Sequence, residues 1–238
     1  MKKIVLFWLI TAIAFSVTAQ DLSTILAKND RAIGLNARKG IEYLQTKGYF
    51  TMNDSDAKIP FKVLQARPNS MRIETTVFGL KSIQTYNGEE AWMLNPAMGL
   101  EAQKTDADDL NSFAIATALD GPFRYRTEGT GGSRLVGKEE YKGTSVYTVI
   151  SDETMTSRMK YYIDVNTYLV NGVRYEYKKN GGWYSMEYRI DSYREYAGAT
   201  FPGKITAFIN GVEMTTIHID DILVKDFLSP ELFGKPTF

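Results

Sequence analysis

The fold is decided by the run Met-Lys-Tyr-Tyr-Ile-Asp-Val at residues 159–165. Its odd positions carry the apolar or aromatic side chains Met159, Tyr161 and Ile163, whereas its even positions hold two charged residues around a tyrosine. Successive side chains of a β-strand point to opposite faces, so this alternation predicts a strand with one buried face. Runs of the same kind recur between residues 173 and 190, as is typical of antiparallel sheets.

Two later strands depart from this pattern because they carry apolar residues on both faces. Ile205 and Ile209 lie on one face of the first strand and Phe208 lies on the other. The pair is joined by Asn210-Gly211, a strong hairpin signal. Such strands occur at the centre of a β-sandwich, and they would also suit a curved sheet with a filled or fillable concave side. The pattern alone leaves both architectures open.

The first hundred residues predict a helix followed by a meander. Apolar residues at helical spacing predict a helix over 21–36, and periodicity does not decide between helix and strand over 41–51. A second helix is predicted over 109–119, with an apolar stripe centred on Phe113. The meander has predicted strands at 59–66, 71–77, 82–86 and 90–94, separated by turn residues.

The N-terminus predicts export. Lys2 and Lys3 precede an apolar run at 4–15, and Ala19 ends a small-residue cleavage motif. The run is too short to span a bilayer, so a cleaved signal peptide (residues 1–19) is favoured over a membrane anchor. The remaining residues, 20–238, are expected to form a single domain, soluble after export.

Little in the composition supports catalysis. The chain has no cysteine, which excludes disulfides, thiol nucleophiles and lipidation at a cleavage-site cysteine. His218 is the sole histidine and has no partner in the sequence pattern of a metal or catalytic site. No Gly-x-Ser-x-Gly motif or distinctive carboxylate pair is present. We therefore expect no enzyme, cofactor or metal, and the near-zero net charge argues against nucleic acid as a partner.

Several short motifs in this order resemble the outer-membrane lipoprotein-sorting family, the LolA-like and LolB-like periplasmic proteins. The resemblance extends from about residue 21 to residue 236. The motifs are Arg67-Pro68 with Arg72, Asn87-Gly88 with Trp92, Tyr161-Tyr162-Ile163-Asp164, Tyr193-Arg194-Glu195-Tyr196, Phe201-Pro202 and Leu232-Phe233-Gly234-Lys235-Pro236.

The resemblance implies an unclosed antiparallel β-barrel of about eleven strands, with helices lidding its concave apolar face. It also implies a soluble periplasmic carrier that binds lipoprotein acyl chains or related lipids and passes them toward the outer membrane. An inner-membrane transporter and an outer-membrane acceptor would be its partners. The alternative is an envelope-stress sensor of the same fold, although such sensors carry a second domain and this chain ends at Phe238.

On this basis we expect a hydrophobic cavity and a gate. Arg67 and Arg72 are the candidates for pairing with lid carbonyls or with a lipid head group. The expected cavity residues are Phe61, Val63, Met71, Ile73, Trp92, Phe113, Met159, Tyr161, Ile163 and Phe208.

Overall fold

The computed structural model describes residues 21–105, 119–121, 132–151, 153–179 and 181–237. Its strands form one antiparallel sheet of 13 strands that is not closed. This confirms the predicted unclosed antiparallel barrel, with 13 strands instead of about eleven. Most of the second predicted helix, 109–119 with Phe113, lies outside the described residues.

Two short helices and the strands follow one another in the part of the chain that the structure describes. The helices are α1 (Leu22–Ala32) and α2 (Leu35–Lys39), and a 3₁₀ helix covers Pro230–Phe233. The strands are β1 (Tyr43–Met52), β2 (Ser55–Ala66), β3 (Ser70–Val77), β4 (Leu80–Tyr86), β5 (Ala91–Leu94), β6 (Gln103–Thr105), β7 (Arg134–Tyr141), β8 (Thr144–Ser151), β9 (Ser157–Asp164), β10 (Val170–Lys179), β11 (Gly182–Tyr196), β12 (Ala199–Ile209) and β13 (Val212–Lys225).

The single helix predicted over 21–36 is broken at Gly34. This residue has a φ of 65°, and a Cβ there would lie 2.3 Å from the carbonyl oxygen of Gly198. Glycine therefore provides both the left-handed turn and the close approach to the β11–β12 connection. The ambiguous segment 41–51 belongs largely to β1.

The first and last strands meet in the middle of the sheet. β1 pairs with β13 from Tyr43 opposite Lys225 to Met52 opposite Thr215. The strand order is therefore β6-β5-β4-β3-β2-β1-β13-β12-β11-β10-β9-β8-β7, which leaves β6 and β7 at the edges. Two meanders thus extend away from one central pair.

Both helices pack on the concave face. One apolar cluster joins residues of β2 and β3 to residues of β12 and β13, with Ala37 of α2 packed against it. A second cluster joins Ile25 of α1 to residues of β8–β11. The first cluster thus contains side chains from both sides of the central pair, and the second lies on the β8–β11 side.

The two ends of the barrel differ. In an antiparallel sheet, alternate turns lie at the same end. The β2–β3, β4–β5, β7–β8, β9–β10 and β11–β12 turns lie at the end occupied by α2, which we call the helix end. The remaining turns, including β1–β2, β3–β4, β5–β6, β8–β9, β10–β11 and β12–β13, lie at the opposite end, which we call the far end.

The C-terminal segment covers part of the convex face. Phe233 is buried there against Leu64 and Ala66. The Thr85 hydroxyl donates a hydrogen bond to the Gly234 carbonyl at 2.8 Å. The segment therefore packs Phe233 on an apolar part of the convex face and accepts hydrogen bonds from polar side chains beside it.

Candidate functional site

The concave face contains most of the predicted cavity residues that the structure describes. Phe61, Val63 and Met71 are buried in the first apolar cluster, and Ile73 packs against it. Tyr161 and Ile163 are buried in the second cluster with Met159 packed beside them. The two clusters form two apolar areas of the concave face, one beside α2 and one beside α1.

Trp92 and Phe208 are placed differently from our prediction, because both lie on the convex face. The Trp92 ring is 5.2 Å from Lys235 Nζ of the C-terminal segment. The Phe208 ring lies 5.2 Å from the Arg189 guanidinium and pairs across the sheet with Glu187. Neither ring belongs to a concave cluster.

Arg67 connects three parts of the helix end. Its guanidinium donates two hydrogen bonds to the Asp120 carboxylate, at 2.8 and 2.7 Å. It also donates to the backbone carbonyls of Ile41 and Arg38, each at 2.9 Å. The hydrogen bonds with Asp120 raise the pKa of Arg67. Arg67 thus ties the β2–β3 turn to the end of α2 and to residues 119–121.

Arg38 is a second arginine of the helix end, and the sequence did not indicate it. Its side chain is 2% exposed and donates to the carbonyls of Ile33, Leu119 and Thr200. Its guanidinium lies 4.2 Å from the centre of the Phe201 ring. Burial lowers the pKa of Arg38 to about 10, so the group stays charged at neutral pH. A buried cation with several acceptors therefore fixes residue 119 against β12.

Arg72 does not belong to this site. It lies on the convex face, bonded to Glu74 at 2.7 Å and to the Leu232 carbonyl at 3.0 Å. Glu74 also pairs with Lys62 at 2.9 Å. The expected gating role of Arg72 is therefore replaced by a structural contact with the C-terminal segment.

The cations around Glu74 make the stability of the fold depend on pH. Burial alone would raise the pKa of Glu74, but hydrogen bonds from Lys62 and Arg72 outweigh it and lower the pKa from 4.5 to about 2. A lowered folded-state pKa stabilises the fold above pH 4.5, and this contribution is lost as the pH falls toward 2. We expect Glu74→Gln to flatten the dependence of unfolding free energy on pH in this window, as measured by urea denaturation. Glu89→Gln is the control, because Glu89 is exposed. If this variant flattened the pH dependence of the unfolding free energy equally, Glu74 would not be the group responsible.

The His218 ring stacks on the Tyr49 ring, with the two ring centres 4.7 Å apart. The residues on either side of His218 in the chain, Ile217 and Ile219, belong to the first concave cluster. Burial and the nearby Lys204 lower the pKa of His218. In the part of the chain that the structure describes, no three His, Asp or Glu side chains come together as a metal site would require. The described residues also contain no helix long and apolar enough to cross a membrane.

Comparison with known proteins identifies the class of fold. No protein-family model matches the sequence, and no curated protein matches it. Among solved structures, a LolA superfamily protein from Nitrosomonas europaea is 15% identical, with a TM-score of 0.58 over 91% of this chain and 99% of its own. A protein from Vibrio parahaemolyticus described as an outer membrane lipoprotein-sorting protein domain is 12% identical, with a TM-score of 0.56 over 88% of this chain and 97% of its own.

A DUF1329 family protein from Desulfovibrio piger is similar to the same degree, at 14% identity. Its TM-score is 0.55, over 88% of this chain and 97% of its own. The chain therefore has the fold shared by the LolA superfamily protein and the DUF1329 protein, and the LolA-like fold is the one that the sequence motifs implied. At these identities the likeness concerns the fold.

Proposed function

We propose that the protein is a periplasmic carrier that binds acyl chains of lipoproteins or related lipids along the concave face. The observation that supports this most directly is the apolar lining formed by Phe61, Val63, Ile73, Tyr161 and Ile163 on one side of an unclosed sheet. Burying about a dozen methylenes at ~0.8 kcal/mol each offers roughly 10 kcal/mol before ordering costs. Such a lining can hold a lipid chain without any catalytic group.

The helix end provides the cover for this lining. α1 and α2 lie over the two apolar clusters, and Leu119 is buried in the first of them. A lipid chain that enters the lining must displace some of these contacts. Arg67 and Arg38 attach the cover by hydrogen bonds to backbone carbonyls. These two residues therefore determine the free energy needed to open it.

Binding and release of the lipid involve no chemical step. The protein acts in the periplasm after removal of residues 1–19, and residues 20–238 are one lipid-binding domain. An inner-membrane transporter and an outer-membrane acceptor are its proposed partners. Mass spectrometry of lipid co-extracted with the exported protein tests the ligand class, and a preparation that repeatedly contains no lipid and takes up none from vesicles would contradict it.

One pair of variants on β3 separates the two faces of the sheet. Ile73 packs on the concave cluster, whereas Thr76 pairs with Lys81 on the opposite face. We expect Ile73→Asp to weaken binding of a fluorescent fatty acid at least about tenfold, because a carboxylate would then border the chain. Thr76→Asp is the matched control and should bind like the parent. Circular dichroism verifies that both variants keep the sheet, and equal affinities would place the ligand elsewhere.

A further inference from the structure

A buried glutamine interrupts the first apolar area of the concave face. Gln65 lies on β2, two positions after Val63, and is 5% exposed. Its cross-strand neighbours are Leu44 on β1 and Met71 on β3, and both belong to the first apolar cluster. Residues directly opposite each other in an antiparallel sheet share a face. The Gln65 side chain therefore lies on the concave side, among apolar neighbours.

The side-chain oxygen of Gln65 is buried and has no hydrogen-bond donor among the described residues. The Arg67 guanidinium, two residues further on, donates instead to Asp120 and to backbone carbonyls. Buried water is usually held by about three polar groups, and the cross-strand neighbours of Gln65 offer no polar side chain for this. A buried acceptor without a donor destabilises a fold, so an apolar residue would suit this position better if packing were its only role.

Asn29 of α1 is the other described residue with a buried side-chain oxygen that lacks a donor, and its case is different. Its amide nitrogen donates to the Tyr168 carbonyl at 2.7 Å, which attaches α1 to the β9–β10 turn. The position of its oxygen follows from that bond, because both atoms belong to one planar amide. The described residues offer no such structural reason for Gln65.

We infer that Gln65 accepts a hydrogen bond from the bound lipid, and that the protein thereby selects acyl chains that carry a neutral hydrogen-bond donor at their head. The amide N–H of an N-acyl group supplies such a donor, and so does the hydroxyl of a 3-hydroxyacyl group. An ester or an ionised carboxylate has no donor to offer. An ammonium group has one, but its charge would be buried among apolar side chains at a high cost.

The position of Gln65 also gives the bound chain a direction. The concave residues of β2 are Phe61, Val63 and Gln65 in order from the far end, and Arg67 follows in the β2–β3 turn. Residues on the same face of a strand are about 7 Å apart. The chain would lie along Phe61 and Val63, and its donor would meet Gln65 near the helix end. This inference rests on the proposed lipid binding and names the class of lipid.

Competition against a fluorescent fatty acid tests the preference for a donor. N-methyldodecanamide has an N–H group, whereas N,N-dimethyldodecanamide and methyl dodecanoate have the same acyl chain and carbonyl without a donor. We expect the first ligand to bind at least about fivefold more tightly than the other two. Methyl 3-hydroxydodecanoate tests the hydroxyl as the source of the donor, since it differs from methyl dodecanoate in that group alone. Equal affinities for all four ligands would overturn the inference.

A matched pair of variants tests whether Gln65 is the acceptor. Gln65→Met removes the amide and keeps a side chain of similar length, so we expect the variant without ligand to unfold at a higher urea concentration than the parent. It should also bind N-methyldodecanamide and N,N-dimethyldodecanamide equally. Gln45→Met is the control, because Gln45 lies opposite Leu64 on the convex face and its loss should leave the preference intact. A lower urea midpoint together with an unchanged preference in Gln65→Met would show that Gln65 is a structural residue.

The outcomes separate this inference from the proposed carrier function. A parent protein that binds the fluorescent fatty acid but shows no preference among the four ligands overturns the role of Gln65 and leaves the concave lipid site standing. A parent protein that binds neither the probe nor any of the ligands contradicts the carrier function itself. If Gln65→Met does not fold by circular dichroism, the ligand series on the parent still decides whether a donor is selected.

Discussion

Replacing Arg38 with methionine should lower the free energy of unfolding by about 3 kcal/mol or more. The side chain is buried, and its removal leaves the carbonyls of Ile33, Leu119 and Thr200 without this donor. Each buried polar group deprived of its partner costs about 1–3 kcal/mol, and methionine replaces only the apolar volume beside Phe201.

The neighbouring residue provides the control for this experiment. Lys39 is exposed on the same helix, so Lys39→Met should change the unfolding free energy by less than about 0.5 kcal/mol. Both variants are compared by urea denaturation near neutral pH, where Arg38 is charged. If Arg38→Met unfolds like the parent, then the three carbonyls find other donors and Arg38 does not hold the helix end together.

The strand pattern was predictable because apolar and charged side chains alternate in the sequence, although β8, β9 and β12 are buried on both faces over part of their length. In the run 159–165, the predicted inward residues Met159, Tyr161 and Ile163 do belong to the cluster under α1. Alternation identifies the face here because the other positions carry Lys160 and Asp164. The sequence did not show that Tyr162 and Asp164 on this other face are buried as well. The unclosed barrel itself came from the order of short motifs and not from the alternation.

The faces of Trp92 and Phe208 could not be predicted, because their strands are apolar on both sides. β5 has only four residues, and the C-terminal segment packs on the convex side of this region. In β12, the pairing with β13 shifts register between Ala207 and Phe208. The face of a side chain is inferred from whether its position in the strand is odd or even. A very short strand gives too few positions for this, and a register shift changes the alternation.

The burial of Arg38 was not predicted, for a different reason. A cation in the last turn of a helix is ordinarily a solvent-exposed partner of the helix dipole, so its type and position gave no sign of burial. Only the tertiary contacts of α2 with Thr200 and Leu119 show its role. Arg67 was proposed from the sequence because it lies in a turn motif; Arg72 was proposed from the same motif, yet it packs on the convex face.

The second large effect concerns the contact between Arg67 and Asp120. Arg67→Leu removes a two-bond ion pair and two hydrogen bonds to backbone carbonyls. In a double-mutant cycle with Asp120→Asn, we expect a coupling free energy of about 1–3 kcal/mol, because the two groups are in direct contact and partly shielded from water. Denaturant unfolding of the parent, both single variants and the double variant measures this quantity.

The same variants test whether this contact controls access to the concave face. If residues 119–121 form part of the cover, weakening their attachment raises the population of opened states, and Arg67→Leu should take up a fluorescent fatty acid several-fold faster than the parent. Arg72→Leu is the matched control, because it removes an arginine of the same motif that bonds to Leu232 on the convex face. It should reduce stability and leave the uptake rate unchanged. If both variants speed uptake equally, the faster entry reflects general destabilisation, and Arg67 is a structural arginine without a gating role.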